Sequence, residues 1–172
     1  MADMGKKQQG LTLIELMVTL AVAIILVSVG MPLFSGIVAN NRAATDTNAL
    51  VTSMKLARSE AVKRAGTVVA RSSGSDWDNG WLVFVDDNAN GAADTGEEVL
   101  RNWEAPRESS IDSGSVEFVS FNATGENNGA QVGLELDPDP PGADGPRRRC
   151  VTVAVTGQVQ MKKDTGGTWS CP

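Results

Sequence analysis

Hydrophobic positions fall into three regimes along the chain. From Leu16 to Ala39 almost every residue is apolar and none is charged, a run of roughly 24 residues. At about 1.5 Å per helical residue that run crosses a hydrocarbon core of ~30 Å. Beyond it Ala43, Thr47, Leu50, Met54, Ala57, Ala61 and Ala65 recur at spacings of three and four, which draws one narrow face down a continuing helix. Small residues dominate that face, and they suit close packing on a globular head rather than a coiled coil. Lys63 and Arg64 place cations at the negative end of the helix dipole and Gly66 can adopt the left-handed conformation, so the helix is predicted to stop near Ala65. Leu11 to Ala65 would form one rod of about 80 Å.

After Gly66 the helical period gives way to short runs rich in Val, Phe and Trp, broken by Gly, Asn, Asp and Pro. Strands are predicted at Thr67–Arg71, Trp81–Val85, Glu98–Trp103, Val116–Phe121, Val132–Leu136, Cys150–Thr156 and Gln158–Lys162. The proline-rich stretch from Asp137 to Pro146 cannot form a central strand and reads as a stiff loop. The expected fold class is α+β, a long N-terminal helix packed on an antiparallel β-sheet head. The roughly 105 residues after Gly66 suffice for one small domain.

Within the apolar run Gly30-Met31-Pro32 predicts a kink or local melt, because Pro32 removes a backbone donor and crowds the preceding turn. A proline simply tolerated in a membrane helix is the other reading. Lys6 and Lys7 precede the run and would hold the N-terminus in the cytoplasm, leaving the rest of the chain outside. A secretory signal peptide cut near Ile37-Val38-Ala39 is the alternative, but its apolar core would be too long and would contain a glutamate.

That glutamate, Glu15, lies at the edge of the apolar run, where an unpaired buried carboxylate costs roughly 2.5 kcal/mol or more, so it asks for a partner. Gly10-Leu11-Thr12-Leu13-Ile14-Glu15 resembles the class III leader of type IV pilins and type II secretion pseudopilins, whose signature is Gly, cut, hydrophobic residue, Thr-Leu-x-Glu. Leu11 stands where the family most often has phenylalanine. The resemblance implies cleavage after Gly10 by a prepilin peptidase and N-methylation of Leu11. Removal of residues 1–10 takes away two lysines and one aspartate, so the formal charge moves from −6 to about −7. A new α-amine then sits four residues before Glu15, able to pair with it within one helix or on a neighbouring subunit. The family is understood to use the second arrangement for register, and a proline at the place of Pro32 to unwind the helix on assembly.

The chain then divides into a leader (1–10), a membrane and filament-core half-helix (11–39), an amphipathic half-helix (40–66) and a periplasmic β-rich head (67–172). Leu56 to Arg64 and the stretch from Gly80 to Arg101 resemble the GspH/FimT/FimU group of minor pilins. These are low-copy structural subunits, not enzymes, thought to prime or cap a filament. The implied partners are other minor and major pilins or pseudopilins, the prepilin peptidase and an inner-membrane assembly platform. The implied location is a single pass through the bacterial inner membrane, then the pilus or pseudopilus tip.

Three further features carry candidate chemistry. Cys150 and Cys171 both lie late in the chain on the side where oxidation is expected. They either pair, tying the tail to a strand, or remain two buried thiols. Asp86 to Glu97 fits the D-x-[DN]-x-[DN]-G-x5-E calcium pattern, offering oxygens from Asp86, Asn88, Asn90, the Ala92 carbonyl, Asp94 and Glu97 around Gly91. It lies between two predicted strands, where the same residues also make an ordinary solvated hairpin loop without an ion; no cofactor is required. Arg147-Arg148-Arg149 could attract a phosphate backbone, with Lys162 and Lys163 in the same chain. Some FimT-like minor pilins bind DNA in natural transformation, but through a Gly-Arg-x-Arg type motif, and here both arginines are replaced in Gly157-Gln158-Val159-Gln160. The chain is acidic, with a pI near 4.6, and offers little steering toward nucleic acid. It contains no histidine, and no nucleophile and base pair stands out.

Overall fold

The computed structural model describes residues 12–106, 109–138, 148–164 and 171. A single helix α1, Leu13–Arg64, runs for 52 residues, about 78 Å of rise. Thr12 caps it, its hydroxyl oxygen accepting the Glu15 N–H at 3.3 Å. Helical geometry continues through Gly30, Met31 and Pro32, so the helix is not melted there. Buried hydroxyls further along bond back to their own helix, Thr47 to the Ala43 carbonyl and Ser53 to Leu50, which satisfies them without a partner from the head.

The last turn closes one residue earlier than expected. Ala65, not Gly66, takes the left-handed conformation, with φ 52°. Its N–H donates to the Val62 carbonyl, and the Gly66 N–H donates to Ala61, the paired bonds of a Schellman turn. Arg64 is pinned at this point by Glu60 at 2.8 Å and by Glu98 at 2.6 Å. Ala65 therefore leaves the buried face and is exposed.

The head consists of two four-stranded antiparallel sheets rather than one. The first contains β1 (Val68–Ser72), β2 (Trp81–Val85), β3 (Val99–Trp103) and β5 (Phe118–Phe121), in the order β3-β2-β1-β5. The second contains β4 (Ser109–Asp112), β6 (Val132–Pro138), β7 (Arg149–Val153) and β8 (Val159–Lys163), in the order β4-β6-β7-β8. Register sets the faces: Ala70 lies opposite Val83 and Val119, while Val151 lies opposite Leu134 and Met161. The inner faces of both sheets close on the same stripe of α1, where Ala39, Ala43, Leu50, Met54, Ala57 and Ala61 are fully buried. Each buried Leu, Val or Met in this core contributes about 1.5–3 kcal/mol.

Of the eight strands among the described residues, seven lie where the sequence places them, within a few residues. The exception is β4, in which Ile111 is the lone apolar residue. It is held from outside its own sequence, since Asp46 accepts from the Ser109 hydroxyl and Asp78 accepts the Ile111 N–H. Asp78 belongs to a 3-10 turn, Trp77–Asn79, that also buries Trp77 and aims its indole N–H at the Val116 carbonyl, 2.7 Å away.

Two connections join the sheets to the helix near its end. Arg58 donates from Nε to the Gly125 carbonyl at 2.8 Å and from Nη2 to Thr156 at 3.3 Å, so one guanidinium holds a turn from each sheet. The turns meet at Gly157, with φ 74°, where an added Cβ would lie 1.8 Å from the Gly125 oxygen. Cys150 and Cys171 form a disulfide with Cα atoms 5.6 Å apart, closing a separation of 21 residues. Loop entropy puts its contribution near ~3 kcal/mol.

Urea unfolding of the detergent-solubilised chain should separate two substitutions. Gly157→Ala is expected to lose about 2 kcal/mol or more, because neither the positive φ nor the carbonyl can give way. Ala65→Gly is expected to gain about 0.5–1 kcal/mol by relieving the left-handed alanine.

Candidate functional site

The functional features predicted at the N-terminus begin in α1. Gly10 and Leu11 lie outside the described residues. Glu15 stands exposed in the first turn, where the helix dipole favours an anion. Thr12 and Glu15 stand at the N-cap and third-residue spacing of a capping box, a local signal that the sequence carries and that attention to the apolar run hides. From Leu13 to Ile37 the described large apolar side chains are exposed, for example Leu13 at 79%, Leu26 at 68% and Ile37 at 58%. Burial begins at Gly36 and follows only one face. The same helix thus presents an unsheltered apolar cylinder below and a head-bound stripe above. It is long and apolar enough to cross a membrane.

The charged motif at the end of α1 has a structural role. Arg58 clamps the two sheets, and Glu60 bonds Lys63 at 3.1 Å and Arg64 at 2.8 Å. Arg64 reaches on to Glu98, next to β3. Its guanidinium holds the carboxyls of Glu60 and Glu98 below the ordinary range. Both carboxylates are favoured in the fold above that range and lose the benefit as pH falls through it, although exposure keeps the effect small.

The segment from Asp86 to Glu97 joins β2 to β3 and is closed by its own hydrogen bonds. Asp86 is buried, accepting the Asn90 N–H at 3.2 Å and the Gly91 N–H at 2.8 Å. Asn88 and Asn90 spend their amide oxygens on the backbone N–H groups of Asn90 and Ala92 and turn their NH2 groups to Asp94, each at 2.8 Å. Those two amides hold the Asp94 carboxyl below its usual value. Glu97 accepts from the Asp87 and Asp94 N–H groups. The oxygens expected to face calcium, from Asp86, Asn88, Asn90, Ala92, Asp94 and Glu97, are thus largely directed to backbone donors. Among the described residues no group of three or more His, Cys, Asp or Glu side chains is placed to hold a metal ion.

The arginine run is divided by the fold. Arg147 lies outside the described residues. Arg148 sits among Glu135 at 3.0 Å, Asp164 at 3.4 Å and Asp137 at 3.9 Å. Burial and the neighbouring Glu135 push the Asp137 carboxyl up. Arg149 is buried at 8% and donates to the Asn40 carbonyl of α1 at 3.2 Å. One arginine therefore balances an acidic cluster and the next ties β7 to the helix.

A family profile described as Type II transport protein GspH matches residues 46–157, from the lower head-bound part of α1 to the turn before β8. The chain belongs to the GspH family. A second profile, the prokaryotic N-terminal methylation motif, matches residues 5–31, and with the apolar helix it marks this GspH protein as a membrane-anchored pilin. The pilin-like protein PilA1 of Thermus thermophilus is 39% identical over 93 residues, 53% of this chain and 56% of that protein. This GspH protein thus spans a little over half the length of that curated relative. The type IV minor pilin FimU of Pseudomonas aeruginosa shares the fold, with TM-scores of 0.60 and 0.53 in two crystal forms. Identity is 19% and 20%, and the alignments cover 73% and 72% of this chain and 95% of FimU.

Because Asp86 satisfies two backbone donors, Asp86→Ala should cost about 1–3 kcal/mol. Thermal unfolding of the wild type should be unchanged by a calcium chelator, since hydrogen bonds within the loop already tie Asp86 to Gly91 and Glu97 to Asp87. A chelator-induced fall in the midpoint that Asp86→Ala abolishes would overturn that reading.

Proposed function

We infer that this GspH-family chain is a minor pilin or pseudopilin that primes or caps a type IV pilus or type II secretion pseudopilus. The observation that carries this is one unbroken helix, α1, bare and apolar below Gly36 and held by two sheets above it. A head carried on the same helix as its anchor can leave the bilayer with it, exchanging lipid for the helices of neighbouring subunits. The chain would be stored with its N-terminus in the cytoplasm and its head in the periplasm.

Each N-terminal residue then has a role. Cleavage after Gly10 by a prepilin peptidase frees the Leu11 amine, which pairs with Glu15 of a neighbouring subunit and removes an uncompensated charge from the apolar core. Pro32 denies the Ser28 carbonyl its usual helical donor, so extension of the helix during assembly costs least there. Neighbouring pilins or pseudopilins contact the head, and the inner-membrane platform drives assembly. DNA uptake is the less supported role, because Arg148 and Arg149 are used inside the head.

Intact mass of protein from membranes of a host with its prepilin peptidase should begin at methylated Leu11, and the same host lacking the enzyme should give the full chain. A cut near Ala39 would sink the reading. Glu15→Ala should insert normally yet enter filaments at least about tenfold less often than wild type, the scale expected for one unpaired charge in an apolar setting.

A further inference from the structure

Strand β8 ends the second sheet, in the order β4-β6-β7-β8, and its outer backbone meets no strand among the described residues. The pairing with β7 fixes which groups are left over. Asp164 donates its N–H to the Arg148 carbonyl and Ala154 donates its own to Gln158, with no shift of register between them. The even-numbered residues of β8 therefore face β7. Alternation in an antiparallel ladder then turns the N–H and C=O of Val159, Met161 and Lys163 to the open edge. The side chains of the same three residues lie on the face toward α1, opposite Val153, Val151 and Arg149 of β7.

The helix leaves part of that face uncovered. Met161 is 51% exposed, and a groove of about 540 Å³ lies between β8 and α1, lined by Lys55, Arg58, Ser59, Val62, Gln158 and Val159. Val62, itself 51% exposed, and the half-buried Val159 give the groove an apolar floor. None of these lining residues is acidic. Lys55 and Lys163 make no ion pair among the described residues, and Arg58 directs its two hydrogen bonds to the carbonyls of Gly125 and Thr156. Lysines on an edge strand deter pairing with neutral strands, and β8 of a second copy would bring its own Lys162 and Lys163 to the same edge. An anionic strand is the one they admit.

We propose that β8 and this groove receive an extended acidic segment of a neighbouring filament subunit, added as a further strand to the second sheet. Main-chain bonds to Val159, Met161 and Lys163 hold the segment. Its side chains alternate, so one face turns into the groove: an apolar residue rests on Val62 and Val159, and a carboxylate two positions along reaches Lys55. The inference rests on the filament-subunit reading and names the kind of strand that a neighbour must present.

The probe is an acetylated, amidated heptapeptide, Val-Thr-Val-Thr-Glu-Thr-Val, titrated into the isotope-labelled full chain in detergent micelles and followed by amide NMR. The amides of Val159, Met161 and Lys163 should shift and show contacts to the peptide backbone. Lysine in place of the peptide's glutamate should weaken binding about tenfold, and Lys55→Gln about two- to fivefold. Met161→Pro removes only an outward N–H, so it should leave the unfolding midpoint unchanged and abolish binding. Arg101→Gln, on the edge strand β3 of the other sheet, should change nothing. Absence of binding, binding that survives Met161→Pro, or binding indifferent to the peptide's charge overturns the proposal. Tighter binding of a short DNA duplex at the same residues also overturns it, in favour of nucleic acid. Intact mass of the same preparation, from a host with its prepilin peptidase, keeps the two readings apart. A processed chain that does not bind the peptide overturns this proposal alone, whereas an unprocessed chain overturns the filament reading and with it the neighbour as the strand's source.

Discussion

How near two sheets can come to one helix governs the rest of this structure. Ala39, Ala43, Ala57 and Ala61 form most of the stripe that both inner faces touch, and all are fully buried. Small side chains bring backbone close to backbone, so carbonyls as well as side chains become part of the interface. The Asn40 carbonyl accepts from Arg149 of β7, and Arg58 reaches outward to carbonyls of two turns. A stripe of leucines would bury more area per residue but would hold the sheets too far away for these bonds. Leu50 and Met54 supply the bulk at mid-height, within the core cluster that both sheets share.

The same closeness explains why the two halves of α1 differ so sharply. Below Gly36 the described side chains are all exposed, and most are large and apolar. Above it the helix has one covered face and one polar face. No break in the backbone separates the regimes; only composition changes. That continuity is what makes a head and an anchor into a single body, and it gives the family assignment a physical meaning beyond a match of residues.

Much of this was legible in the sequence because it depends on local pattern. The 3.6-residue stripe, the end of the helix near Ala65 and the strands with alternating Val, Phe and Trp need only a window of neighbours to be read. The division of the head into two sheets was not, because it depends on which strands meet, and β4 is called into being by Asp46 and Asp78 from distant parts of the chain. The Schellman turn puts Ala65 and not Gly66 in the left-handed conformation, beside an Arg64 that is held by Glu98, 34 residues away. Among the candidate site residues, the cysteines pair as their late positions and oxidising side suggested. The arginine run offered itself by sequence to a phosphate backbone, yet Arg149 is buried, since nothing local announces that a cation will meet a helix carbonyl. The Asp86 loop matches a pattern of residue types, and backbone N–H groups of the same loop donate to oxygens of Asp86 and Asn90.

The two arginine ties on α1 also define how this molecule bears load. Arg149 grips the helix at Asn40, and Arg58 grips from the helix at a point 18 residues further along, about 27 Å away. A pull along the helix axis therefore strains both ends of the buried stripe together, as shear across the whole contact, and no single bond can be peeled first. A sideways pull on the lower helix would instead concentrate at Asn40.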